Sequence, residues 1–202
     1  MTTQQSSATE VDVALLKSEI KKKYASVSSE PEQHYVFPTG GSWAEDLGYP
    51  DELANVPESA VESFAGVANP FSLSRLERGA RVLDLGSGAG TDSLVAVQMV
   101  GPEGHVTGID MTPEMLAKAR AAAAEMGATN VEFLEAEAEQ LPFADASFDI
   151  VISNGVIDLI PDKDAVFSEL FRVLAPGGRI QIADVTIQKP VSEEGKRDLW
   201  TG

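Results

Sequence analysis

Asp84-Leu85-Gly86-Ser87-Gly88-Ala89-Gly90 is where residue types and spacing first suggest chemistry: an apolar strand pattern ends in glycines and a helical pattern begins. Without Cβ atoms, such positions turn sharply and let a ligand lie on bare main chain, at the carboxyl edge of a sheet where α/β proteins bind nucleotides. A second strand pattern, 20 residues past Gly90, ends in Gly108-Ile109-Asp110-Met111. A carboxylate at that place, Asp110, can accept hydrogen bonds from both hydroxyls of a ribose, and Met111 can lie against an adenine face. The third leads into Glu135-Ala136-Glu137-Ala138-Glu139, where Glu137 can accept from an adenine amino group while the Ala138 main chain meets the ring edge. The fourth ends in Ser153-Asn154, and Asn154 is a candidate to hold a ligand's amino group through its backbone carbonyl. The plainer alternatives are a structural turn at the glycines, an acid that merely precedes a helix at Asp110, and a solvated surface at Glu135 to Glu139.

Spacing narrows the ligand. The dinucleotide fingerprint is GxGxxG, whereas here the third glycine is Gly90 and position 91 is Thr, which makes GxGxG. Asp84 also stands two residues before the first glycine. A carboxylate there is awkward beside a pyrophosphate and suits a ligand that carries a cationic amine and a sulfonium. The loop therefore favours S-adenosylmethionine over NAD(P), and an NAD(P) oxidoreductase is the less favoured alternative.

The elements that must position these residues can be read from hydrophobic periodicity. Strands are expected at 81–85, 105–110, 131–135, 148–153 and 179–185. Helices are expected from Gly90 to about Val100, from Thr112 as N-cap with Pro113 in the first turn to Gly127, and from about Asp162 to Pro176-Gly177-Gly178. Strands alternating with helices imply an α/β fold, a Rossmann-like doubly wound and mostly parallel sheet covered on both faces. Upstream, Val13, Leu16, Ile20 and Tyr24 recur at helical spacing over about 10–25, while 26–56 is rich in Ser, Pro, Gly and aromatics and reads as a lid. The expected division is an N-terminal arm and lid over 1–70 and a ligand-binding domain over 71–202.

Composition removes whole classes. The 202 residues carry a formal charge of −17, with no basic stripe beyond Lys21-Lys22-Lys23, so neither nucleic acid nor an anionic membrane is an expected partner. With no cysteine and two histidines, thiolate nucleophiles, disulfides and thiolate metal sites are excluded and a histidine metal centre is not expected. MTTQQSSATE lacks the basic and apolar regions of a signal peptide, and no apolar run approaches the ~18 residues of a membrane span, so a cytoplasmic location is the default expectation.

Taken together, DLGSGAG, GIDMTPEML, EAEQLPF, SFDIVISN and RVLAPGGR resemble the successive motifs of class I S-adenosylmethionine-dependent methyltransferases, over about residues 80–185. The longer stretches DLGSGAGTDSLVAVQMVGPEGHVTGIDMTPEMLAKAR and VISNGVIDLIPDK are similar to the arsenite methyltransferases, with ubiquinone/menaquinone methyltransferases as more distant look-alikes. The resemblance implies S-adenosylmethionine contacts from Asp84, Gly86, Ser87, Gly88, Gly90, Asp92, Asp110, Met111, Glu137, Ala138 and Asn154, and a small-molecule methyl acceptor. Arsenite methyltransferases hold trivalent arsenic on cysteine thiolates, one following the Ser-Asn of strand four and another near an Asn-Pro pair. Here those places read Gly155 and Phe64-Ala65-Gly66-Val67-Ala68-Asn69-Pro70. A soft metalloid needs soft ligands, so an acceptor other than arsenite is expected.

On the acceptor side, Tyr24, Tyr35, Phe37 and Trp43 from the arm and lid, with Asn69 before the first strand, are the candidates, and His34 is a candidate base. The aromatics can shield a sulfonium by cation–π contact or simply pack the lid. Only 17 residues follow Val185, too few for the strand pair that closes the family's sheet. The expected sheet therefore lacks that pair, its edge covered by the arm or by another subunit in a homo-oligomer. A truncated S-adenosylmethionine-binding protein without catalysis is the second alternative.

Overall fold

The computed structural model describes residues 12–186 except 32 and 34, and every structural statement below refers to these. Five parallel strands form one sheet: β1 (Arg81–Leu85), β2 (His105–Asp110), β3 (Val131–Glu135), β4 (Phe148–Asn154) and β5 (Leu174–Ala183). Their order is β3-β2-β1-β4-β5. The winding reverses between β1 and β4, and in such sheets a ligand crevice opens at the carboxyl ends of those two strands.

Six α-helices, besides three short 3-10 turns, complete the described chain: α1 (Val13–Ser29), α2 (Gly41–Asp46), α3 (Glu58–Val61), α4 (Thr91–Val100), α5 (Pro113–Met126) and α6 (Lys163–Val173). Gly90 and Gly127, both left-handed, begin α4 and end α5, which explains why those limits were readable locally. Several limits differ from expectation: β4 runs one residue further, to Asn154, β5 spans Leu174–Ala183 instead of 179–185, and two helices shift. The first helix starts at Val13 because the Asp12 carboxylate accepts from Leu15 N at 3.0 Å, and it continues to Ser29. The last ends at Val173 and β5 begins at once, because Pro176 disfavours helical geometry at Ala175 and a proline there would break the ladder.

Alternation along the strands builds a core on each face. Val82, Val106, Ile150 and Ile152 bury against α4 and α5 together with Val56, Ala60, Val61 and Phe71 from the lid segment. On the opposite face Leu83, Leu85, Ile109 and Val151 bury against Val166, Leu170 and Val173 of α6. The segment before β1 thus contributes to one of the two main cores. The N-terminal arm makes a third cluster, in which Val27 and Tyr35 meet Ala89 of the glycine loop and Met115 of α5. α1 packs chiefly on α5, so the arm lies over the cleft end and not along the edge strand β5.

Lys118 of α5 pins the arm and lid. Its ammonium donates to Ser28 O at 3.0 Å and Ser63 Oγ at 2.7 Å, and pairs with Glu62 at 2.6 Å. Its side chain is only 15% exposed, so the contacts are weakly screened. We expect Lys118→Met to cost about 2 kcal/mol in urea unfolding, the scale of lost charge-assisted bonds. A loss within experimental error would show that the arm is held by its apolar cluster alone.

Candidate functional site

A cleft of roughly 1050 Å³, open solvent at its mouth included, opens above the β1/β4 crevice. Gly86, Ser87 and Gly88 form its floor, Asp110 and Met111 one wall, Glu137 and Ala138 the next, and Asp92 and Asn154 the far side. The sheet therefore gathers nine of the eleven expected ligand residues, although they span 69 positions of the chain. Parallel strands cause this, since each carboxyl end points the same way and each following loop lands on one rim.

Asp110 ties the floor to the wall. One oxygen of its carboxylate accepts from Gly88 N at 2.9 Å and the other from Thr112 N at 2.8 Å. Burial raises its pKa, and these backbone donors offset only part of the rise. Ser87 is buried in the loop and its hydroxyl has no hydrogen-bond partner. Glu137 is shared with the arm: Lys17 of α1 donates to its Oε2 at 2.7 Å and pairs with Glu139 at 2.9 Å, which holds Glu137 below the usual carboxylate range. Lys17 itself lines the cleft, a contact that no local pattern indicated.

Asp84 and Gly90 lie elsewhere than expected. Asp84 is buried beneath the loop, where Ser93 Oγ donates to it at 2.5 Å, and it does not line the cleft. Its carboxylate reaches a ligand only through its field. Gly90 is a packing position: a Cβ would stand 3.0 Å from both Ala119 Cβ and Phe133 Cζ, so the missing side chain lets α4 approach α5 and β3.

Asn154 is a hub. Its Oδ1 accepts from Val67 N at 2.8 Å and Ala68 N at 3.2 Å, while its Nδ2 donates to Tyr49 Oη at 2.8 Å, Ala68 O at 2.8 Å and Asp92 Oδ2 at 3.1 Å. Tyr49 in turn donates to Asp92 Oδ1 at 2.6 Å. The side chains of Asn154 and Asp92 are thus committed to protein, which leaves the Asn154 main chain to meet a ligand. Burial raises the pKa of Asp92, and it raises that of Asp84 with a further contribution from the Asp92 charge. Tyr49, missed by sequence reasoning, is pushed up by the same burial and by Asp92.

The hub also places the two segments where the resembled family carries thiols side by side. Gly155 has φ +70°, and a Cβ there would lie 3.1 Å from Val67 Cγ1. A cysteine at this position would have to adopt a left-handed backbone and push Val67 aside.

Of the acceptor-side candidates, only Tyr24 lines the cleft. Tyr35 is buried, stacks on Phe37 at 5.8 Å between centroids and donates to Glu30 O at 2.9 Å; Phe37 also stacks on Tyr24 at 6.1 Å. Trp43 donates from Nε1 to Gly66 O at 2.7 Å, bracing the loop from behind. Asn69 caps the turn at Pro70–Ser72 by accepting from Phe71 N, and donates to Gly48 O at 2.7 Å. These four support the site without facing it, because each is satisfied by packing or by local main chain. His34 lies outside the described residues.

No group of three or more metal-ligating side chains gathers among the described residues. No helix among them is long and apolar enough to cross a membrane.

Comparison with known proteins agrees with this geometry. Residues 76–199 match the family model described as a methyltransferase domain. The chain is 47% identical over 161 residues to an arsenite methyltransferase of Halobacterium salinarum, covering 79% of this chain and 41% of that protein. It is 39% identical over 116 residues to a demethylmenaquinone methyltransferase of Listeria monocytogenes, covering 57% of this chain and 49% of that protein. Among solved structures, an arsenic(III) S-adenosylmethionine methyltransferase from Chlamydomonas reinhardtii superposes with a TM-score of 0.68 at 41% identity, over 74% of this chain and 52% of that one. The chain thus spans about two-fifths to half of the length of these relatives. It is similar in sequence and fold to the arsenite methyltransferases, it contains no cysteine, and it belongs to the methyltransferase-domain family.

Proposed function

We propose that the chain binds S-adenosylmethionine in this cleft and transfers its methyl group to a small-molecule acceptor other than thiolate-held arsenite. The observation that carries the reading is the Asp110–Gly88 bond: the carboxylate at the end of β2 is locked to the glycine loop at the floor of a cleft rimmed by Glu137 and Ala138.

The residues present fit the cofactor. Asp110 offers a carboxylate to the ribose hydroxyls beside bare glycine backbone. Glu137 keeps its Oε1 for the adenine amino group while Oε2 holds Lys17. The buried carboxylates Asp84 and Asp92 face a cationic ligand with a field of the right sign. When bound, the cofactor supplies an electrophilic methyl on sulfur. The chain's part is to orient that group, exclude water with the arm, and place the acceptor in line.

The same carboxylates give the reading a signature in pH. Their raised native pKa values mean that the folded cofactor-free chain binds more protons than the unfolded chain above pH ~4. Stability from this source is present at low pH and is lost as pH rises through the native values. A bound cation offsets that loss. We therefore expect the thermal shift produced by S-adenosylmethionine to grow from pH 5 to pH 8, and to exceed the shift from S-adenosylhomocysteine, which lacks the sulfonium. Calorimetric titration with both compounds tests the premise, and no binding of either would refute it. A chain that binds but never releases S-adenosylhomocysteine with any acceptor would be a cofactor-binding protein only.

A further inference from the structure

Among the described residues that line the cleft, Lys17 is the only lysine or arginine, and it comes from α1, whereas Asp110, Glu137 and Glu139 follow strand ends. Its ammonium donates to Glu137 Oε2 at 2.7 Å and stands 2.9 Å from Glu139 Oε1. Burial opposes its charge, but the two carboxylates together outweigh that effect, so its pKa is raised. The ammonium and its carboxylate partners therefore stay charged at neutral pH.

Neither side of this contact depends on it for the course of its main chain. After β3, Ala136 N donates to Asp110 O at 3.2 Å, Gln140 N to Glu137 O at 3.2 Å and Leu141 N to Glu169 Oε2 at 2.7 Å. Ala138 and Leu141 bury in the core beside α6. α1 is fixed towards its other end, where Ser63 Oγ donates to Val27 O at 3.2 Å and Lys118 donates to Ser28 O. What the main chain leaves free is the Glu137 side chain, long, rich in rotamers and 52% exposed. Ion pairs at such exposure contribute little to folding. The consequence that remains is local order: Lys17 takes one oxygen of Glu137 and so sets where the other points.

Resting on the reading that S-adenosylmethionine occupies the cleft, we propose that Lys17 is a specificity-determining positioning residue. It holds Glu137 so that Oε1 meets the 6-amino group of the purine, and the arm thereby makes the site selective for adenine over a 6-oxopurine. An amino group donates to this oxygen. A 6-oxo group presents lone pairs to it instead, and a carboxylate that is held in place cannot turn away from them. Without Lys17 the Glu137 side chain swings into solvent, pushed by the charge of Glu139 once their shared cation is gone. Attraction for the amino group and repulsion of the oxo group then fade together.

The test titrates the full chain by calorimetry with S-adenosylhomocysteine and with S-inosylhomocysteine, its 6-oxo counterpart. The ratio of the two dissociation constants, taken on one preparation, does not depend on how much of that preparation is folded. The parent chain is expected to prefer the adenine compound by about 10-fold or more, the scale of a hydrogen bond to a charged group. Lys17→Met should reduce this preference about 5-fold or more, chiefly by weakening S-adenosylhomocysteine. Glu137→Gln should reduce it as well, because an amide can turn its NH2 to a 6-oxo group. Adding Lys17→Met to Glu137→Gln should then change the preference no further, since the two residues act as one unit. A parent that binds both compounds equally, an unchanged preference in Lys17→Met or in Glu137→Gln, or a full Lys17 effect in the Glu137→Gln background overturns the proposal. A parent that binds neither compound overturns the methyltransferase reading instead.

Discussion

Replacing Asp110 by alanine is expected to raise the dissociation constant for S-adenosylmethionine by roughly 10- to 150-fold, about 1.5–3 kcal/mol, measured by calorimetry. Two losses combine. The ribose hydroxyls lose a charged acceptor, and Gly88 N and Thr112 N lose the carboxylate that holds the loop against α5. Asp110→Asn separates them, because an amide oxygen can still serve one of the two backbone donors while the charge is gone. An intermediate affinity in Asn and a low one in Ala is the expected order. An unchanged affinity in Asp110→Ala would show that the ribose lies elsewhere.

Asn154→Ala is expected to be the most damaging change to the fold around the cleft, at about 3 kcal/mol or more in chemical denaturation. The substitution strands Val67 N and Ala68 N, removes a donor from Asp92 and frees the Tyr49 hydroxyl on one side, and each unsatisfied buried group costs about 1–3 kcal/mol. Asn154→Asp offers a sharper comparison. A carboxylate keeps the acceptor for Val67 and Ala68 but stands against Asp92, so the pair must share a proton and its native pKa rises. Stability in Asn154→Asp is then present at low pH and lost as pH rises, so the variant should approach the parent near pH 5 and fall behind at pH 8. Equal deficits at both values would rule out the buried Asp92 contact.

Local pattern made most of the scaffold legible. Limits of β1, β2 and β3 coincide with their apolar runs, and α5 begins after Thr112 and stops at Gly127, because caps and turn residues act within a few positions. The end of α6 was misjudged, since apolar spacing continues through Leu174 while Pro176 already dictates extended backbone. Cleft-lining residues were legible as a set because they follow strand ends. Their individual duties were not: the Tyr49–Asn154 bond spans 105 positions and the Lys17–Glu137 bond 120, distances over which periodicity carries no signal. Aromatics before β1 were equally ambiguous, for a Trp that braces a loop and a Tyr that faces a cleft have the same composition.

By itself the sequence determined an α/β sheet with a glycine loop between β1 and α4, a carboxylate at the end of β2, and a chain without thiols, because each of these is a property of residue type and short spacing. Only the tertiary structure decided that Asp84 lies beneath the loop instead of on the cleft, that Gly90 serves packing, and that Asn154 clamps the Val67 segment. The physical reason is that a buried polar group must find its partner among whatever the packed elements present to it, and that choice is made across the fold, not along the chain.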